Sequence, residues 1–141
     1  MNKTATTALF LARISLGWLF FYAGITKILD PNWSAQGFLG SAKTFPDLYA
    51  WFASPANINW VNFLNEWGLT LIGVALILGV FTKWASIAGI LMMLLYYFPG
   101  LDFPYIDHGF IVDQHIIYIF LFALIASTKQ TFALDNRLFK R

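Results

Sequence analysis

The 141-residue chain contains no cysteine. That absence excludes disulfide exchange, thiolate metal sites and thiol-based redox chemistry by the chain itself. Charge is scarce too: charged residues make up 11% of the chain, against roughly 25% in soluble domains. Hydrophobic residues make up 59%, so the composition reads as one domain of an integral membrane protein. The net charge is +2 with its cations scattered, and no basic stripe points to nucleic acid. Histidine occurs twice, at 108 and 115. Both fall on the same loop side, so the chain supplies no facing pair of haem ligands, and neither a thiol-based nor a metal cofactor is indicated. There is no repeat of fixed period and no low-complexity segment.

What is present is organised around the stretch from Arg13 to Lys27. Positions 13, 17, 20, 24 and 27 are Arg, Gly, Phe, Gly and Lys, and their spacing of four, three, four and three residues puts them on one helical face. A guanidinium inside an apolar helix persists in a bilayer only where something acidic or wet faces it. The first span is expected over 4–29, enough to cross about 30 Å of hydrocarbon. It reads as a retained span rather than a signal peptide, because Arg13 interrupts the apolar run and no small-residue cleavage site follows.

Asp30-Pro31-Asn32 is a turn signature. Residues 33–59 are aromatic and non-spanning, which predicts short interfacial helices. Further spans are expected over 60–81, 84–98 and 110–127, the third reaching only about 22 Å unless extended. Residues 101–109 read as a loop. The expected fold class is all-α: an integral membrane four-helix bundle with an interfacial aromatic segment between helices one and two. Lys3, Lys83, Lys129, Arg137, Lys140 and Arg141 fall on one side, against Lys43 in the opposite loops. By the positive-inside rule both termini are cytoplasmic.

In that topology Arg13 lies near mid-bilayer, with Glu66, Asp113 and His115 in the outer half and Lys27 at its edge. Arg13 is therefore expected to reach Glu66, and Lys27 to meet Asp113 or the outer loops. A single Arg13–Glu66 bridge would serve helix register alone, and His115 could be a hydrogen-bonded helix histidine. Arg13, Lys27, Asn62, Glu66, Asp113 and His115 together exceed that need. Titratable groups clustered in an apolar space are the default pocket for a small ligand. A quinone would find cationic and imidazole donors for its carbonyl oxygens there, and a carboxylate to relay protons. Tyr118 belongs to the aromatic walls that would stack its ring, although Tyr96, Tyr97 and Tyr118 equally fit an interfacial belt. Asp107 and His108 read as solvated loop residues.

At these residues the chain resembles the DoxX/DoxD family of small four-span membrane proteins. The resemblance rests on Arg13-x-x-Leu16-Gly17-x-x-Phe20-x-x-x-Gly24-x-x-Lys27, Glu66 followed by Gly73, Leu78-Gly79-Val80-Phe81-Thr82-Lys83, and Leu134-Asp135. The run Val112-Asp113-Gln114-His115-Ile116-Ile117 resembles archaeal-type and quinol-oxidase-associated members. It covers the chain apart from 30–59. Membership implies a four-helix bundle in the cytoplasmic membrane of a prokaryote, working with quinone-linked oxidoreductases such as a thiosulfate:quinone oxidoreductase or a terminal quinol oxidase.

Three functions follow as expectations. The first is a membrane subunit that binds a quinone or similar small redox molecule in the outer half of the bundle. There Arg13 orients Glu66, these two are the catalytic pair, and Lys27, Asn62, Asp113, His115 and Tyr118 hold the ligand. The second is a non-catalytic subunit packed against other membrane subunits or a second copy. The third is a conduit for protons or small solutes.

Overall fold

The computed structural model describes residues 1–138. Lys140 and Arg141, counted in the charge asymmetry, lie outside the described residues. The chain is mostly helical: α1 (Lys3–Leu29), α2 (Gln36–Gly40), α3 (Pro46–Phe52), α4 (Ile58–Leu78), α5 (Thr82–Gly100), α6 (Gln114–Ser127) and α7 (Asp135–Leu138). Between α5 and α6 lie three two-residue strands, β1 (Leu101–Asp102), β2 (Tyr105–Ile106) and β3 (Gly109–Phe110), paired antiparallel in that order.

Helix α1 opens on Asn2, whose side chain accepts from the Ala5 amide at 2.8 Å. It then runs antiparallel along α4, and glycines set their separation. A Cβ at Gly24 would stand 2.4 Å from the Thr70 amide nitrogen, and one at Gly73 would stand 2.3 Å from that of Phe21. Only hydrogen fits at these crossings, the usual device by which helices in membranes approach closely. On the far side α5 packs along α6, where Gly89 leaves room for the Phe122 ring. Leu16, Phe20, Leu69, Leu76, Met93, Phe122 and their neighbours form one apolar core among the four long helices.

Two element boundaries differ from the sequence expectation by three or more residues. Helix α4 stops at Leu78, because Gly79 takes the left-handed conformation (φ 68°) and turns the chain. Helix α6 begins at Gln114 rather than near 110, since Asp113 caps it, accepting from the amides of His115 and Ile116. The loop at 101–109 holds the small sheet, a departure from all-α. Leu101 and Ile106 bury against Tyr97 there, an apolar gain that an open loop would forgo.

Two ends of the molecule are distinct. At the terminal end the chain after α6 folds back under the α4–α5 turn. The Leu134 and Asp135 amides donate to the carbonyls of Leu78 and Gly79, and the Asp135 carboxylate accepts from Phe81 N, Thr82 N and Thr82 Oγ1 at 2.7, 2.9 and 2.8 Å. At the distal end α2 and α3 cover the core mouth, burying Leu39, Tyr49 and Ala53 against Val61 of α4. Tyr49 donates to the Leu95 carbonyl at 3.0 Å, and its burial pushes the phenol above its ordinary pKa. Lys43 pairs with Asp102 at 3.2 Å on the surface.

Candidate functional site

A chamber of about 360 Å³ that carries several polar side chains opens at the distal end, bounded by Lys27 of α1, the Trp33–Phe38 segment, Asn65 of α4, Tyr96 of α5, Asp107, and Asp113 and His115 at the start of α6. Its size lies within the roughly 300–1,000 Å³ usual for small-molecule sites. The N-cap of α6 explains its strongest feature. Asp113 must sit against the first helical amides, and His115, two residues on, then places its Nδ1 2.5 Å from Asp113 Oδ2. A carboxylate only accepts, so Nδ1 carries the shared proton and Nε2 is left for a ligand. Both side chains are well shielded, at 20% and 8% exposure.

Across the chamber the Lys27 ammonium donates to the Ala23 carbonyl at 3.0 Å and lies 5.3 Å from the centroid of the Trp33 ring. It has no carboxylate within ion-pair distance among the described residues. The chamber thus holds a cation stabilised by a carbonyl and an indole face: of the two partners expected for Lys27, Asp113 is not met and the segment after α1 supplies Trp33. The Tyr96 hydroxyl donates to Asn65 Oδ1, while Asn65 Nδ2 donates to the Val61 carbonyl at 2.8 Å. The Tyr96 ring meets His115 edge-on, centroids 6.2 Å apart.

Behind Tyr96 lies a second, larger cavity of about 530 Å³ between α4 and α5, roofed by α2 and α3. Its walls are almost wholly apolar, and it shares Asn65 and Tyr96 with the chamber.

The sequence-derived residues are distributed unevenly. Lys27, Asp113 and His115 come together in the chamber. Asn62 does not join them: its amide accepts from Ala35 N at 3.0 Å and donates to Ser34 Oγ at 3.2 Å, pinning the segment that forms the wall. Tyr118 packs edge-on to Phe20 beside the core, centroids 6.3 Å apart, and lines neither cavity. The expected Arg13–Glu66 pair is corrected. Arg13 is fully buried at the terminal end, where Nη2 donates to the Phe132 carbonyl at 3.2 Å and the guanidinium lies 5.5 Å from the Phe10 centroid. Its Nη1 abuts Gly79, 13 residues along α4 from Glu66, a separation of about 20 Å by helix rise. The antiparallel α1–α4 register forces this, since it sets Gly24, not Arg13, against Glu66. Glu66 itself is half-buried and lines neither cavity.

Sequence reasoning passed over Asn65 and left Tyr96 among belt residues. The signal available was Asn65, one position off the Asn62–Glu66–Thr70 stripe and hence on the face turned to α5. Among the described residues no group of three or more His, Asp or Glu could hold a metal ion.

Helices α1 and α4 are each long and apolar enough to cross a membrane, and the molecule is a helical membrane protein with two candidate spans. The chain belongs to the DoxX family, which it matches over residues 8–99. The bounds of that match include 30–59 and end inside α5, so Asp113 and His115 lie beyond it. No curated protein and no solved structure matches the chain.

Proposed function

We propose that this protein is a four-span membrane subunit of a quinone-linked oxidoreductase, binding a quinone or similar small redox molecule in the distal chamber. DoxX membership supports the link to quinone oxidoreductases. The observation that carries the reading is the composition of the chamber: Lys27 and the Asp113–His115 pair face one space beside an apolar cavity. A quinone fits that donor set, because its two carbonyl oxygens need hydrogen-bond donors and its ring needs apolar or aromatic walls. Charge asymmetry puts this end on the outer side of the membrane.

When bound, the quinone supplies a two-electron acceptor whose carbonyl oxygens become basic on reduction. The residues of this chain do the rest. With Nδ1 held by Asp113, His115 donates from Nε2 to a carbonyl oxygen once the imidazole takes up a second proton. The Lys27 ammonium stabilises negative charge in a low-dielectric space. Tyr96, tied to Asn65, forms the wall shared with the apolar cavity. Electron delivery falls to a partner subunit.

Titrating the protein in nanodiscs with duroquinone and decylubiquinone, followed by tryptophan quenching, tests the reading, since Trp33 forms part of the wall. Saturable quenching that His115→Ala weakens is expected. A purely linear, non-saturable response in which His115→Ala changes nothing overturns it.

A further inference from the structure

We infer that the groove between α4 and α5 seats the apolar chain of the ligand whose polar head occupies the chamber, so that one amphiphilic molecule spans both cavities. The inference rests on the quinone-site reading and extends it to the class of ligand: a lipid-soluble molecule with a long hydrocarbon chain, entering sideways from the membrane.

The groove makes no demand for a polar occupant, because every polar side chain in its wall is already engaged. Tyr49 donates to Leu95 O, Trp60 Nε1 to Asn57 Oδ1 at 3.0 Å, and Asn65 and Tyr96 are bonded to one another. An apolar chain leaves those bonds intact. A polar one would lose its own hydration for nothing. The chamber next door is the reverse, offering Lys27, Asp107, Asp113 and His115. Asn65 and Tyr96 belong to both walls, so a head in the chamber has its attached chain directed past them into the groove. Wall residues run from Trp60 to Ile72 along α4, about 18 Å of helix, room for a chain rather than a methyl group. The rim is open where a bilayer would lie, with Leu64, Leu71 and Leu91 exposed by 52%, 59% and 59%.

Hydrocarbon leaving lipid for the groove gains packing rather than hydrophobic transfer, so the effect is read as a difference between variants. Ala88 is exposed on the α5 wall, and Ala88→Trp fills the groove without entering the core. In nanodiscs of phosphatidylcholine, Ala88→Trp is expected to weaken decylubiquinone about tenfold, about 1.4 kcal/mol, and to leave duroquinone unchanged. A decylubiquinone analogue with a photoreactive chain end is expected to label 61–72 and 88–96 in the unaltered protein, independent of any variant. Unchanged decylubiquinone affinity in Ala88→Trp, with duroquinone still bound, overturns the chain site and spares the head site. Failure of both quinones to bind removes the head-site reading and this inference with it. Equal labelling of the groove by a photoreactive phosphatidylcholine, undiminished by decylubiquinone, also overturns it, since a bilayer lipid is then the occupant.

Discussion

His115 and Asp113 stand 2.5 Å apart, Nδ1 to Oδ2, and the same carboxylate starts α6 by accepting from the His115 amide at 2.9 Å. One side chain therefore both begins a helix and orients the imidazole. Asp113→Asn keeps a good N-cap but loses the charge. Its melting temperature in micelles should stay near that of the unaltered protein while duroquinone affinity falls about tenfold. Asp113→Ala should lose both, with about 0.5–2 kcal/mol of stability gone. Equal affinity in Asp113→Asn and the unaltered protein would show that the pair serves the helix alone.

Lys27 lines the chamber without a carboxylate partner among the described residues. Removing it as Lys27→Met should weaken duroquinone binding about tenfold. Stability should hold or rise, because an intramembrane cation costs about 2.5–3.5 kcal/mol at a helix centre and less near its end. Titration and thermal melting on the same samples read both quantities.

Arg13 and Glu66 lie about 20 Å apart along α4. A double-mutant cycle with Arg13→Met and Glu66→Gln should give additive effects within about 0.5 kcal/mol. A coupling of several times that size would restore the pairing that sequence reasoning favoured.

Asp135 closes the terminal end by satisfying the Phe81 and Thr82 amides. Asp135→Ala should cost about 0.5–2 kcal/mol, as for other caps. Hydrogen exchange should accelerate at Phe81 and Thr82 before it does elsewhere in α5, and uniform acceleration along the helix would contradict a local cap.

Gly24 is filled by its neighbours, with Thr70 Oγ1 2.3 Å from where a Cβ would stand, whereas Gly37 has nothing within 4 Å. Gly24→Leu should prise α1 from α4 and destabilise by at least the 1–3 kcal/mol typical of overpacking, roughly. Gly37→Ala in α2 should be neutral or stabilising by up to about 1 kcal/mol. Unfolding in mixed micelles compares the two.

Much of the fold was legible in the chain. The apolar runs, the Asp30-Pro31-Asn32 turn and the Arg13–Lys27 stripe mark α1, α4, α5 and α6, because hydrophobic length and helical period are local properties. The glycines at 17, 24 and 73 lie where α1 and α4 approach closely, as small residues do between membrane helices. The small sheet at 101–110 was not legible, since two-residue strands carry no periodic signal and form only because Leu101 and Ile106 find Tyr97.

The candidate site divides along the same line. Sequence alone determined which ionisable groups this chain can bring into an apolar interior, and it grouped Arg13, Lys27, Asn62, Glu66, Asp113 and His115 as one set. Tertiary structure decided which of them meet. The antiparallel register of α1 on α4 set Arg13 against Gly79 and not Glu66, and the approach of α5 joined Tyr96 to Asn65 across 31 residues of sequence. Period and hydropathy determine the face a residue occupies, but its depth against a neighbouring helix depends on how two surfaces interlock, and that is a property of the pair.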